Sequence, residues 1–300
     1  MSDYIALFTG QGSQFPGMGR SLYDGSAAAK AVLDEAETIL PGLVGLCFDG
    51  PQEELTKTEN TQPCVLAVDV AAYRAFGRMP SAAAGHSLGE YAALVVAGSL
   101  RLADALPLVR DRARAMQEAV PLGTGGMVAL LRMSFDEARN AAAEVTAGVC
   151  NLANVNAPGQ YVMSGEVAAM DELVERFGRR QAIRLPVSVP FHSTLLEEAG
   201  QEFADRLRSV EFQDPAFPIV CNVDARPVST GAEARDGLER QFAGSVLWQP
   251  TIEHFVGAGA RDFVEFGPKP TLAKMVRQIA TEHGMEVETR TICEAGDLEG

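Results

Sequence analysis

The chain has 300 residues, 47% of them hydrophobic and 22% charged, which fits one large globular unit with room for an insert and excludes a disordered chain. Its formal net charge of −15 works against nucleic acid or an anionic membrane as a partner, and no apolar run is long enough to span a bilayer. Five scattered cysteines (Cys47, Cys64, Cys150, Cys221 and Cys293) form no C-x-x-C pair, so they read as small buried hydrophobes in a reducing compartment, with neither a disulfide framework nor a metal cluster expected.

The start, Met1-Ser2-Asp3-Tyr4, has no basic run, so no signal peptide is expected and the expected location is cytoplasmic. Tyr4 to Phe8 read as a short strand, and a Gly-rich turn follows, Thr9-Gly10-Gln11-Gly12-Ser13-Gln14. As a phosphate loop the turn fails. A dinucleotide fingerprint from Gly10 needs glycine where Phe15 stands, and a Walker pattern from Gly12 has Met18 where lysine is required. A plain turn or a loop offering amide donors to an oxyanion remains. A second strand, Ser81 to Ala84, leads into Gly85-His86-Ser87-Leu88-Gly89 and then an Ala/Leu/Val run of helical character. Strand, glycine turn and helix predict an α/β sheet of mainly parallel strands, and G-x-S-x-G there has the form of a nucleophile elbow.

The next helix is expected over Leu102 to Ala119, with Leu102, Ala105, Leu106, Val109, Ala113 and Met116 at helical spacing; Pro107 implies a late start or a kink. On that wheel Arg112 lies at the edge of the apolar stripe, where it would be partly buried, and Arg114 points farthest out. A linker over 121–126 precedes a run with its own rhythm. It comprises a strand (Met127 to Met133), a capping box (Ser134 to Glu137), an Ala-rich helix to Thr146, strands near Val149 to Asn154 and Tyr161 to Ser164, a helix stopping at Gly178, and a strand over Ile183 to Val189. That βαββαβ order is the ferredoxin-like unit. Residues 124–188 are therefore expected to form an insert in a large unit built from 1–123 and 189–300. A helix (Thr194 to Leu207), a strand (Ile219 to Val223), a helix (Ala232 to Phe242), a strand (Asp262 to Phe266), a helix through Ala280 and an edge strand (Glu286 to Ile292) complete the chain.

A serine nucleophile needs a base, and the chain has four histidines. His86 adjoins Ser87, and neighbouring side chains at a strand end point apart. His254 and His283 lie in helical segments and read as surface residues. His192 ends the strand Leu185-Pro186-Val187-Ser188-Val189-Pro190-Phe191, where loops of α/β sheets carry site residues, although an ordinary loop histidine fits that position equally.

These motifs, with Leu7-Phe8 before the Gly-rich turn, Glu90-Tyr91 after the elbow, Gln117-Glu118-Ala119-Val120-Pro121 and Asn154-Val155-Asn156-Ala157-Pro158-Gly159-Gln160, resemble the malonyl-coenzyme A:acyl carrier protein transacylases, relatives of polyketide synthase acyltransferase domains. The resemblance covers nearly the whole chain in the family's order. It implies a hydrolase-like α/β domain with a ferredoxin-like insert. It also implies transfer of a malonyl group from malonyl-coenzyme A, a substrate, to the thiol of an acyl carrier protein, with no cofactor and no metal. By resemblance Ser87 is the nucleophile, His192 the base, Gln11 and the Leu88 N–H the oxyanion hole, Gln241 the residue that orients the histidine through its backbone carbonyl, and Arg112 the partner of the malonyl carboxylate. A planar guanidinium can take a carboxylate through two parallel hydrogen bonds.

Two departures stand out. Thr9 replaces the proline usual before Gly-Gln-Gly, with little effect expected. Phe191 stands before the histidine, where stand-alone fatty acid enzymes often have serine; polyketide acyltransferases with phenylalanine there tend to take malonyl. A hydrolase using the same serine and histidine, and an interaction protein that keeps the fold, are the competing readings; Arg112 counts against the first, and intact Ser87, His192 and Gln11 against the second. Because acyl carrier proteins are acidic, docking is expected on a local basic patch, Arg176, Arg179, Arg180 and Arg184, beside the cleft around His192.

Overall fold

The computed structural model describes residues 3–299. Strand β1 (Ile5–Phe8) is followed by helices α1 (Arg20–Gly25), α2 (Ala27–Ile39), α3 (Leu43–Asp49), α4 (Gln52–Thr56) and α5 (Thr58–Phe76), a region the sequence reading leaves unassigned. Next come β2 (Ala82–Gly85), α6 (Leu88–Val96) and α7 (Leu102–Glu118). A second group comprises β3 (Gly125–Leu131), α8 (Phe135–Glu144), β4 (Cys150–Ala157), β5 (Gln160–Glu166), α9 (Val167–Phe177) and β6 (Ala182–Arg184). The chain then forms α10 (Glu197–Arg208), β7 (Ile219–Val220), β8 (Pro227–Val228), α11 (Gly231–Gln241), α12 (Trp248–Gly257), β9 (Asp262–Phe266), α13 (Ala273–Glu282) and β10 (Glu288–Ile292).

The larger sheet has the order β10-β9-β1-β2-β7-β8, parallel except for the β7–β8 pair. Its central strands β1, β2, β7 and β9 are buried on both faces, as a sheet covered on both sides by helices requires, and the edges β8 and β10 meet solvent. Along β1, Ile5 and Leu7 pack towards Trp248, Ile252, Val276 and Ile279 of α12 and α13, while Ala6 and Phe8 face the core built on α5, α6 and α7. Because β1 and β2 lie side by side in parallel, the loops after them leave the same edge together.

The second sheet, β4-β5-β3-β6, is antiparallel throughout. Alternation along its strands gives it two apolar faces. Val128, Leu130, Val155 and Met163 pack with Met170 and Leu173 of α9 and with α8. Met127, Ala153 and Val162 face the other way, onto Leu185, Val187 and Phe191. The capping box expected at Ser134 forms in both directions with Glu137.

Two strand ends are corrected, and one alternative is settled. The strand expected to reach Val189 stops at Arg184, because Pro186 and Pro190 cannot donate to a ladder and Val187 and Phe191 bond back to Leu185 and Val189 instead. β7 stops at Val220, not Val223, because the Asn222 N–H leaves the ladder for the Glu90 carboxyl. Of the late start or kink expected at Pro107, the late start does not occur: α7 begins at Leu102, and the carbonyl that loses its partner belongs to Ala103, an exposed residue. All five cysteines are free thiols, and no helix among the described residues is long and apolar enough to cross a membrane.

The core between β3, β5 and α9 is separate enough to be tested alone. Leu173 is fully buried in it. Leu173→Ala should cost ~2–5 kcal/mol, the range for a buried leucine truncated to alanine, read as a lower urea midpoint by circular dichroism.

Candidate active site

The turn between β2 and α6 is tight in a way only glycine allows. A Cβ on Gly85 would lie 1.9 Å from the Gly89 carbonyl carbon, and one on Gly89 would lie 2.2 Å from the Phe8 oxygen. Ser87 between them has φ 53° and ψ −101°, a positive φ that costs a non-glycine residue ~1–3 kcal/mol unless its surroundings hold it. Asn222 does the holding. Its Oδ1 accepts the Ser87 N–H at 2.7 Å and its Nδ2 donates to the Gly85 carbonyl at 2.8 Å. Leu88 begins α6, so its N–H has no carbonyl one turn back to bond and points out of the helix end.

His192 is 4% exposed and also sits at positive φ, 59°. Its Nε2 lies 2.8 Å from Ser87 Oγ, while Nδ1 lies 3.1 Å from the Gln241 carbonyl and 3.0 Å from the Gly244 carbonyl. Carbonyls only accept, so Nδ1 carries the proton and Nε2 turns its lone pair to the serine hydroxyl. Burial, then the charge of Arg112, then His86 push its pKa down to about 3, so the imidazole is neutral at neutral pH. Asn151 on β4 fixes the chain just beyond, accepting from Ser193 Oγ at 2.7 Å and Thr194 N at 3.0 Å.

Arg112 is not partly buried as the helical wheel suggests; it is 2% exposed, because the side chain crosses from α7 into the space between α5, α6 and α11. Its guanidinium donates to Gln62 Oε1 at 2.8 Å, Gln241 Oε1 at 2.9 Å and Ser87 Oγ at 3.1 Å, and its carbon lies 5.4 Å from the centre of the Tyr91 ring. Among the described residues no carboxylate forms an ion pair with it, and its Nε has no partner. Arg114, by contrast, pairs with Glu59 on the surface.

The Gln241 side chain joins the cation to the elbow. Its oxygen faces Arg112, and its nitrogen donates to Glu90 Oε2 at 2.8 Å and to the Ser87 carbonyl at 3.0 Å. A flipped amide would set N–H against guanidinium and oxygen against carboxyl, so the orientation is determined. Glu90 is buried, and burial pushes its carboxyl up to about 7.

Ser87, His192 and Arg112 open on one cavity of about 240 Å³, together with Gln11, Leu88 and Phe191. Its opposite wall is the second sheet, through Met127, Asn154, Asn156 and Val162. Gln11 is held by Thr58, which donates to its Oε1 at 2.8 Å. His86 turns away from the serine and bonds Asn156 at 2.8 Å, and His254 and His283 lie elsewhere on the surface. Sequence reasoning missed Gln62, Glu90, Asn222 and Asn156. Glu90 and Asn156 had a signal, since both stand in motifs that carry the resemblance, Glu90 directly after the elbow glycine and Asn156 within Asn154 to Gln160.

The basic patch is corrected too. Arg176 is paired with Glu144 and Arg184 with Asp171. The turn bearing Arg179 and Arg180 leaves the sheet beside Leu131, at the opposite end of β3 from Gly125, which abuts Pro190 on the way to His192. It does not border the opening at His192.

The acyl transferase domain family matches residues 5–293 of the chain. The chain is 40% identical over 288 residues to the malonyl CoA-acyl carrier protein transacylase of Bacillus subtilis strain 168, covering 93% of this chain and 91% of that one. It resembles the crystal structure of an acyl-carrier-protein S-malonyltransferase from Burkholderia pseudomallei 1710b with a TM-score of 0.94 at 39% identity, over 99% and 98% of the two chains. It also resembles a malonyl-transacylase solved in complex with its type II PKS acyl-carrier protein, with a TM-score of 0.94 at 35% identity, over 99% and 98%.

The burial and charge around His192 predict a titration. An ordinary imidazole protonates near pH 6.5, and His192 should stay neutral well below that. Removing a cation eases protonation of a neighbour, so Arg112→Ala should raise the His192 pKa, while burial, the larger cause, keeps it under the ordinary value. Nuclear magnetic resonance of the imidazole C–H groups against pH, with only four histidines to assign, reads both directly.

Proposed function

The chain belongs to the acyl transferase domain family, and we propose that Ser87 and His192 perform its reaction by a relay through an acyl-serine ester. The reaction is transfer of a malonyl group from malonyl-coenzyme A to the phosphopantetheine thiol of an acyl carrier protein, in fatty acid or polyketide synthesis. The observation that carries our assignment of residues is Arg112, a buried cation with no carboxylate partner, 3.1 Å from the serine oxygen that would hold the acyl group.

In this reading the malonyl carboxylate takes the place opposite Arg112 and the thioester carbonyl lies over Ser87. The Ser87 proton passes to His192 Nε2 as Oγ attacks the carbonyl carbon, and the N–H groups of Gln11 and Leu88 receive the charge that develops on oxygen. His192 gives its proton to the departing coenzyme A sulfur as the C–S bond breaks. The carrier thiol then gives a proton to His192, attacks the ester and releases Ser87 with its hydrogen restored. The Gln241 and Gly244 carbonyls hold the imidazolium through Nδ1. The Arg112 charge lowers the basicity of His192 in the empty site, so a bound carboxylate, by offsetting that charge, strengthens the base when the acyl group is the right one. The steps use no cofactor. The five free cysteines support a reducing cytoplasm as the location.

Two experiments test this. Intact-mass spectrometry after incubation with malonyl-coenzyme A should find one malonyl group on the protein and none on Ser87→Ala; a malonyl adduct surviving in that variant would overturn the nucleophile. For Arg112→Ala, losing one partner of a buried charge pair typically costs ~2–5 kcal/mol, or roughly thirtyfold to several-thousandfold in kcat/KM at ~1.4 kcal/mol per decade. The malonyl rate should fall by that much and the acetyl rate far less, with Arg114→Ala near neutral for both. An equal fall for malonyl- and acetyl-coenzyme A would make Arg112 a support of the fold and not a reader of the carboxylate.

A further inference from the structure

Beside the Gly10–Gln14 turn, three polar side chains are sealed from solvent: Thr9 at 0% exposure, Ser13 at 1% and Asp69, from the middle of α5, at 0%. Thr9 Oγ1 lies 2.9 Å from Asp69 Oδ1 and 3.1 Å from Ser13 Oγ, and Ser13 Oγ donates to the Gly10 carbonyl at 2.8 Å. Backbone closes the space on the remaining side. At Gly267, with φ 155°, a Cβ would fall 2.4 Å from Thr9 Oγ1 and 2.8 Å from Asp69 Oδ1.

These contacts need three hydrogens, and the two hydroxyls supply two. If Asp69 were ionised it could only accept, so Thr9 would spend its hydrogen there and Ser13 its own on Gly10, leaving two oxygens facing each other with no hydrogen between. The second carboxyl oxygen, Oδ2, has no partner at all, which a buried carboxylate tolerates far less well than the carbonyl of a neutral acid. We propose that Asp69 is kept as an uncharged carboxylic acid whose O–H heads a one-way hydrogen-bond chain, from Asp69 to Thr9 to Ser13 to the Gly10 carbonyl, and that this chain positions the oxyanion loop. The proposal rests on the reading of Gln11 as an oxyanion donor. The link to Gln11 is covalent geometry: the Gly10 carbonyl and the Gln11 N–H share one planar peptide, so holding the oxygen aims the hydrogen.

Burial, the largest cause, and the charge of Glu265 on β9 hold the Asp69 carboxyl well above the usual range, against the hydrogen bond with Thr9, which acts to lower it. Glu265 keeps its own donors, the N–H groups of Thr271, Leu272 and Ala273. The Cys293 thiol beyond β10 is pushed up to about 12, burial again leading, so it adds no charge. Thr9, a departure from the resembled pattern, is the middle link here. Proline at that place could neither accept from Asp69 nor donate to Ser13.

Asp69 and Thr9 touch no substrate in this reading, so they are positioning residues, and the test separates positioning from folding. Infrared difference spectra of the full chain at neutral pH, wild type against Asp69→Asn, should contain a protonated-carboxyl C=O band that moves in heavy water; its absence overturns the proposal. In stopped-flow acylation by malonyl-coenzyme A, Thr9→Val and Asp69→Leu should each slow the maximal rate by about tenfold, less than the ~10²–10³ for deleting an oxyanion donor, with KM within about twofold. Asp69→Asn should recover most of that rate, because its amide N–H can donate to Thr9 as the acid does. A Thr9→Val enzyme with an unaltered rate, or with KM and maximal rate displaced together, overturns the proposal. The infrared arm does not depend on catalysis, so failure of Ser87 to acylate at all would count against the site reading alone.

Discussion

A full positive charge stands in the interior of this protein with no carboxylate bonded to it directly, and Glu90 reaches it only through the Gln241 amide. Arg112 is almost wholly buried, at the wall of the cavity, and is held by the side-chain amide oxygens of two glutamines and by the hydroxyl of Ser87. Neutral acceptors offset part of the desolvation that a buried guanidinium suffers, but not all of it. The surroundings are arranged around that deficit. Gln62 reaches it from α5 and Gln241 from α11, and the Tyr91 ring lies beneath it from α6. Three helices from distant parts of the chain thus converge on one group. Burial keeps the imidazole neutral, and the same charge adds to that effect, so the cation and the histidine are coupled through the cavity they share.

Behind the reacting atoms lies a second set of side chains whose business is geometry. Ser87 sits at a backbone angle that a serine adopts only under constraint, and the constraint is supplied in both directions by Asn222. Asn222 is in turn fixed by Glu90, which accepts its N–H at 3.0 Å, and Glu90 also takes a hydrogen from Gln241. The network closes on itself: elbow to Asn222, Asn222 to Glu90, Glu90 to Gln241, Gln241 to Arg112 and back to the elbow at Ser87. Each amide in it has one orientation only, because its neighbours are pure donors or pure acceptors. A closed network of this kind rigidifies a site more than its separate bonds would.

How much of this was readable from residues alone follows from how each signal arises. The elbow, the capping box at Ser134 and the βαββαβ order were legible because they are local: glycine spacing, a cap four residues long, alternation along a strand. The helix α5 was not legible. Almost every residue from Thr58 to Tyr73 is buried, and a helix buried all round has no amphipathic period to detect. That one blind spot hid Thr58, Gln62 and Asp69 together. Asn222 was hidden for a different reason: an asparagine after a short strand is an ordinary turn residue in sequence, and only the approach of Gly85 and Ser87 from a neighbouring strand gives it a task. The arginine patch failed in the opposite way. Four arginines close in sequence looked like one surface, but acidic residues on α8 and α9 neutralise two of them, and the strand carries the rest to its far end.

The base of this site is oriented by two peptide carbonyls, where a carboxylate would hold an imidazolium more strongly. The reason lies in the neighbouring cation. A carboxylate placed at Nδ1 would stand within the field of Arg112 in a medium of low dielectric, where opposite charges attract far more strongly than in water. It would offset part of that charge before any ligand arrives. An incoming acyl group with its own carboxylate would then meet a site already partly neutralised, and one without a carboxylate would meet a smaller penalty. With carbonyls in that place the histidine still has a fixed tautomer, and no fixed carboxylate is paired with Arg112. The weaker support for the imidazolium is therefore the condition that leaves the buried arginine without a fixed carboxylate partner, which the proposed reading of Arg112 requires.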